Sequence, residues 1–255
     1  MFSVTDRERI RDWVLHLAAT DPRIVAGAVV GSLADTIGDR WSYLDLTFAV
    51  AEGVSVLDVL DSWTGHLVTA FDAVHLFDLP RAASLYRVFL FPGNLQVDLS
   101  CTPAAQFGAM GPKFRLLFGQ AVDKPYPPPP SAHELFGYAV HHALRARFCI
   151  ARGRYWQAEY WLSGTRDYAL SLACRRRGLP AVEGRGFDAL PPEVRDSFRG
   201  TLVTALTRDE LLRALGEAID GLLREAEEVH EVAAKVEGQL RHLLEAWDGE
   251  GQEAA

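Results

Sequence analysis

The stretch IVAGAVVGSLADTIGDRWSYLDLTFAV, residues 24–50, decides the fold. Its first seven residues are a β-branched apolar run that stops at once on Gly31-Ser32, which reads as a buried strand handing over to a turn. Its last seven, Leu44 to Val50, form a second strand in which one residue is out of place, because Asp45 stands between Leu44 and Leu46. A carboxylate on a strand with apolar neighbours has to be paired, hydrogen-bonded or bound to a metal.

Upstream, Ile10, Trp13, Val14 and Leu17 recur at helical spacing over 6–20, and Asp21-Pro22 closes that helix. Downstream, 54–71 reads as a helix and 73–79, 85–91 and 95–101 read as strands. The last two are joined by a tight hairpin at Pro92-Gly93-Asn94. The final strand carries a second intruder, Asp98 between Val97 and Leu99. Alternating helical and strand periods are the pattern of an α/β layer rather than of a bundle.

At 120–131 the sequence becomes QAVDKPYPPPPS, and four successive prolines continue neither a helix nor a central strand. A proline-rich linker over 121–131 is therefore expected between a domain at 1–120 and a second one at 132–246, with 247–255 as a disordered tail. Beyond the linker strand signals stop, and helices are expected at 132–152, 155–177, 192–206 and 208–246, packed as an antiparallel bundle.

Composition bounds the function. With 34 acidic against 26 basic residues the net charge is −8, which argues against a nucleic-acid partner. No stretch reaches the roughly 18 apolar residues of a membrane span, and no signal core follows the N-terminus, so a cytoplasmic protein without a membrane partner is expected. Cys101, Cys149 and Cys174 stand far apart, with no metal spacing, and read as buried free thiols.

Gly31-Ser32 after a strand, Asp45 on the next strand and Asp98 on a later one form an ordered set. Backbone N–H groups and a hydroxyl at such a turn can hold phosphates, although an isolated Gly-Ser is also an ordinary turn. Strand carboxylates that hold divalent ions can orient a triphosphate and stabilise its leaving pyrophosphate.

The strings GSLADTIGDRWSYLDLTFAV and FLFPGNLQVDLSCTP resemble the DNA polymerase β-type nucleotidyltransferase superfamily. Within it they are similar to the aminoglycoside 6-adenylyltransferase (streptomycin-resistance) branch and its actinobacterial relatives. ARGRYWQAEYWLSGTRDYALSLACRRRGL, followed by GRGFDALPPEV, resembles the helical C-terminal domain of that branch, so the likeness runs over about 10–220. It implies an α+β fold, with an N-terminal polymerase β-like mixed sheet flanked by helices and a C-terminal antiparallel helical bundle. It also implies an adenylyltransferase using Mg²⁺ and ATP, with a nucleotide and a small polar acceptor such as an aminoglycoside as partners.

Mapped onto the family pattern, Gly31 and Ser32 match the phosphate loop, while Asp45 and Asp98 match two of three metal-binding, catalytic acids, with Asp98 as the general base. The first acid is replaced by Tyr43. Side chains alternate along a strand, so Tyr43 and Asp45 share a face. A phenol, neutral near pH 7, is a poor magnesium ligand. Either the protein transfers AMP despite this gap, with Asp39 or Asp35 as a substitute ligand, or it is a catalytically degenerate nucleotide-binding or regulatory module.

On the expected second helix, Gln157, Glu159 and Arg166 are candidates for the acceptor cleft. The alternative puts Trp156, Tyr160 and Trp161 in the bundle core and leaves Glu159 as a surface charge. His141-His142 read as ordinary helix residues, and Arg175-Arg176-Arg177 as cations at a helix C-terminus. The last helix either closes the bundle or pairs with a second copy, which leaves a monomer and a homodimer both open.

Overall fold

The computed structural model of the chain describes residues 1–34, 39–125 and 128–245. Asp35 and the tail expected at 247–255 lie outside the described residues. The chain forms two units, Met1–Pro127 and Pro128–Ala255, which divide within the proline run. The architecture is α+β, a mixed sheet with helices followed by an all-helical unit.

The first unit is built on a six-stranded sheet with the order β3-β4-β5-β2-β1-β6. Its strands are β1 (Ile24–Val30), β2 (Leu44–Val50), β3 (Val74–Arg81), β4 (Ser84–Phe91), β5 (Leu95–Pro103) and β6 (Phe114–Phe118). Only β2 and β5 run parallel among the paired strands, and the others pair antiparallel. Two helices, α1 (Val4–Thr20) and α2 (Val56–Phe71), cover one face. Ile10 and Val14 of α1, with Leu60, Trp63 and Leu67 of α2, bury themselves against Leu46, Phe48, Val97 and Leu99.

The helices start where short polar side chains satisfy their first amides. Ser3 and Asp6 cap α1 reciprocally, and Ser55 accepts from the Asp58 amide at the start of α2. The β4–β5 hairpin turns at Gly93 and Asn94, both at positive φ. The sequence reading had no strand at β6. FRLLF lacks period-two polarity and follows a proline, and it becomes a strand only by pairing along the free edge of β1.

Asp21, just past α1, accepts from Arg23 Nε (2.9 Å) and Nη2 (2.7 Å) and from the indole Nε1 of Trp63 (2.9 Å). The Arg23 bonds foremost, with help from the indole, outweigh burial and hold its carboxyl at about 2. A value depressed in the folded state contributes stability at neutral pH, which is lost as the pH falls from about 4 through about 2. The expected loss is on the order of 2 kcal/mol. Urea melts at about pH 5 and about pH 2.5 measure it, and Asp21→Asn should flatten that part of the difference.

The second unit contains α3 (Ala132–Ala151), α4 (Tyr155–Arg176), α5 (Pro192–Ser197), α6 (Arg208–Glu225) and α7 (His230–His242). Two expected helices are broken. The one at 192–206 ends at Ser197, because Phe198 turns inward against Gly221 of α6, where any Cβ would strike its ring. Gly200 and Thr201, weak helix formers, follow in a short 3-10 turn. The one at 208–246 breaks after Glu225, a buried carboxylate that accepts from Arg177 Nη1 at 2.8 Å. The break folds α7 back, so that Ala233 and Leu240 are buried within the bundle.

Other readings meet the structure as follows. Cys101, Cys149 and Cys174 are buried free thiols, and burial pushes Cys101 up to about 12. Trp156 and Tyr160 are not core, being 82% and 65% exposed. The buried stripe of α4 is instead Ala158, Leu162, Thr165 and Ala169. Arg175 and Arg177 bond Glu228 and Glu225, which ties the end of α4 to the α6–α7 turn. Among the described residues, no helix is long and apolar enough to cross a membrane.

Candidate functional site

The parallel pairing of β2 with β5 sets Asp45 directly beside Asp98 in the register, flanked by Leu44 beside Val97 and Leu46 beside Leu99. Alternation does the rest. The leucines and valines face α1 and α2, whereas Asp45 and Thr47, with Asp98, Ser100 and Thr102, take the other side of the sheet. Adjacent strands lie about 4.8 Å apart, so the two carboxylates flank one position from which a single cation can take an oxygen from each.

Gly31 opens a 3-10 turn over Gly31–Leu33 with φ of 70°, a left-handed conformation that favours glycine. The missing side chain has a second reason, since a Cβ there would collide with the Asp45 carboxylate. The glycine and the acid are therefore in contact, and the turn with Ser32 lies beside the carboxylate pair. The Gly31 amide is spent, however, donating to the Lys113 carbonyl at 3.2 Å. Of the expected phosphate loop, that leaves Ser32, because the Ala34 amide is spent as well, donating to the Gly31 carbonyl at 3.2 Å.

Burial raises the pKa of Asp98, offset in part by the Gln96 amide, which donates to its Oδ1 at 2.9 Å. Tyr86, next to Ser100 in the β4–β5 register, is likewise raised by burial and feels the Asp45 charge.

Tyr43 stands just before β2 and is 46% exposed. Asp39, the expected substitute, has its carboxylate engaged in its own loop, accepting from the Trp41 amide (2.9 Å) and the Ser42 hydroxyl (3.1 Å). Those bonds hold its carboxyl below the usual range. Among the described residues, no group of three His, Cys, Asp or Glu side chains comes together to hold a metal. Asp45 and Asp98 are a pair, not a triad.

The donor set fits one magnesium ion. Mg²⁺ takes hard oxygen ligands, keeps several waters, and is commonly held by one or two carboxylates plus substrate phosphates. Two side-by-side carboxylates match that need, while the bridged two-ion site implied by the family pattern lacks its third anionic ligand.

On α4, Glu159 accepts from the Ser163 hydroxyl at 2.5 Å and Arg166 bonds Asp167 at 3.1 Å. At about 100° per residue, Glu159 and Arg166 share one side of the helix two turns apart, and Gln157 lies nearly opposite. The three acceptor candidates do not converge on one point.

The sequence reading missed the polar floor next to the acids. Thr47, Ser84, Tyr86, Thr102 and Lys113 line a cavity of about 90 Å³ under the 104–113 loop. A signal was present, because Gln96, Asp98, Ser100 and Thr102 are polar at period two in a strand whose alternate residues are Leu95, Val97, Leu99 and Cys101. That alternation marks a strand with one polar face, in which Asp98 is one member rather than an exception.

No protein-family model and no curated protein matches the chain. Among solved structures, it is similar to an aminoglycoside 6-adenyltransferase from Bacillus subtilis, at 13% identity and a TM-score of 0.40, covering 92% of this chain and 97% of that one. It is also similar to JHP933 from Helicobacter pylori, at 14% identity and a TM-score of 0.28, covering 91% of this chain and 97% of that one. Both overlaps are loose, and the α+β assignment rests on the sheet and helices themselves.

Proposed function

We propose that the first unit binds magnesium–ATP on Asp45 and Asp98 and transfers AMP to a hydroxyl of a small polar acceptor such as an aminoglycoside. The observation that carries this reading is the Asp45–Asp98 register pair with the Asp45 carboxylate seated on Gly31. The order of Gly31, Ser32, Asp45 and Asp98 along the chain supports it as well.

In this reading Asp45 and Asp98 would hold an Mg²⁺ ion, which would supply charge to offset the phosphates, and so orient the nucleotide. Ser32 donates to a phosphate oxygen at the turn. The acceptor oxygen forms a bond to the α-phosphorus, the α–β phosphoanhydride bond breaks, and pyrophosphate leaves. The acceptor hydroxyl gives its proton to Asp98, which acts as the general base in this reading.

Tyr43 favours a second reading, a nucleotide-binding module that has lost turnover. Calorimetry with ATP and magnesium, run beside a pyrophosphate-release assay over a panel of aminoglycosides, separates the two. Wild type is expected to bind ATP in a magnesium-dependent way, and Asp45→Asn to weaken that binding by roughly tenfold or more. Release with any acceptor supports the transferase, and binding without release supports the module. Absence of magnesium-dependent binding removes both.

A further inference from the structure

The helical unit carries a basic groove. It is a cavity of about 430 Å³ along α3 and the start of α4, lined by Leu144, Phe148 and Cys149 together with Arg145, Arg152 and Arg154. Arg145 and Arg152 stand two turns apart on one side of α3, and Arg154 joins them from the turn that leads into α4. Among the described residues the lining holds no carboxylate.

These cations are unspent. Arg152 and Arg154 are exposed and pair with no acid among the described residues. Arg145 donates from Nε to His141 Nε2 at 3.0 Å and lies 4.9 Å over the Trp161 ring, and neither contact neutralises it. Phe148, between them on the same stripe, is 39% exposed. In a chain with a net charge of −8, three guanidinium groups around an exposed ring suit an acidic segment that carries an aromatic residue.

The chain brings such a segment to this place. The buried Arg147 of α3 holds the stretch after α7, donating from Nε to the Leu243 carbonyl at 2.6 Å and from Nη2 to the Glu245 carbonyl at 3.4 Å. Leu144 stands three residues before Arg147 and four before Phe148, so neighbouring positions of one helix lead from Glu245 to the groove. Residues 246–255 then read AWDGEGQEAA, with Trp247, Asp248, Glu250 and Glu253 and no Lys or Arg. At up to about 3.3 Å per residue this segment reaches well beyond the width of a helix, about 10 Å.

We propose that residues 246–255 dock in this groove of their own chain, with the Trp247 indole against Leu144 and Phe148, and with Asp248, Glu250 and Glu253 paired to Arg145, Arg152 and Arg154. The indole contributes apolar burial, and the ion pairs set the direction in which the segment lies. A segment this poor in apolar residues takes its order from the contact rather than bringing it. Gln157, one of the acceptor candidates, lines the same groove and is covered with it, as is Cys149.

Cys149 is the reporter. It borders the groove, whereas Cys101 and Cys174 are fully buried, so the rate at which dithionitrobenzoate labels Cys149 in the full chain reads how far the groove is covered. Asp248→Lys/Glu250→Lys/Glu253→Lys is expected to raise that rate roughly tenfold, the effect of three exposed ion pairs lost together. Arg152→Glu/Arg154→Glu should raise it as well, and combining the two sets should bring it back toward wild type, because the charges are then exchanged. Trp247→Ala should raise it with the charges intact. Circular dichroism shows whether the arginine variant is folded; the variants of residues 246–255, which leave the groove untouched, decide the matter if it is not. The proposal is overturned if reversing the three acids leaves the Cys149 rate unchanged, or if the combined variant reacts as fast as the faster of its two parents. Protection that weakens on dilution would assign the segment to a second copy and overturn docking within one chain.

Discussion

A Tyr43→Asp variant is expected to release pyrophosphate from magnesium–ATP at least ~100-fold faster than wild type, with the acceptor in excess. Tyr43 precedes Leu44, so the new carboxylate would stand on the Asp45 side of β2, where the first acid of the family pattern belongs. It would complete a triad with Asp45 and Asp98, which sit together through the β2–β5 register. A metal that stabilises charge on a transferring phosphoryl group contributes several kcal/mol to the barrier, or two or more powers of ten in rate. Tyr43→Phe is the comparison: it removes the phenol, adds no ligand, and should gain nothing. Wild-type turnover already equal to that of the aspartate variant would show that Tyr43 is not a defect.

The second large effect is on stability. Arg87 of β4 is buried beneath α2 and donates to both oxygens of Asp78 on β3, at 2.7 and 2.6 Å. Its Nη1 also reaches Asp61 (2.7 Å) and Thr64 (3.0 Å) of α2, so one guanidinium joins two strands and a helix. Replacing Arg87 by Met keeps most of the volume and leaves the half-buried Asp78 carboxylate with His75 alone, whose Nε2 lies 3.0 Å from its Oδ1, at an expected cost of about 3 kcal/mol. The thermal midpoint of the first unit should drop by roughly 12 °C. Adding Asp78→Leu to Arg87→Met should restore much of the loss, because the penalty belongs to a carboxylate that has lost its two arginine bonds. A melt unmoved by Arg87→Met would mean that the cluster is solvated in practice.

The head of the fold was legible because its sequence is locally consistent. IVAGAVV and LDLTFAV each carry one period and one boundary, and Pro92-Gly93-Asn94 specifies its own turn. Asp45 and Asp98 were visible as polar residues in apolar runs, but their adjacency was not. It depends on a parallel pairing between strands separated by a helix and two other strands. Strand β6 was hidden because its pairing with β1 is long-range and its own pattern is mute.

The helical half was legible in outline and wrong at its breaks. The stops after Ser197 and Glu225 come from Phe198 seeking Gly221 and from Glu225 meeting Arg177, partners that lie far along the chain. Helical spacing alone offers Trp156 and Tyr160 to the core, whereas Ala158, Leu162, Thr165 and Ala169 do the packing and the two aromatics stay exposed.

The contact between Gly31 and Asp45 makes the order of any sequence change matter. A lineage that loses the aspartate frees the space above Gly31, and a side chain can then settle there at the cost of its left-handed backbone. Once that has happened, restoring the aspartate meets an occupied space, so the path back is closed by sterics until the glycine returns. Homologues in which residue 31 is not glycine should therefore also lack the acid at 45, whereas the reverse combination, glycine without the acid, is open to drift. Degeneration at this spot works as a ratchet, and this chain, with both residues in place, has not yet turned it.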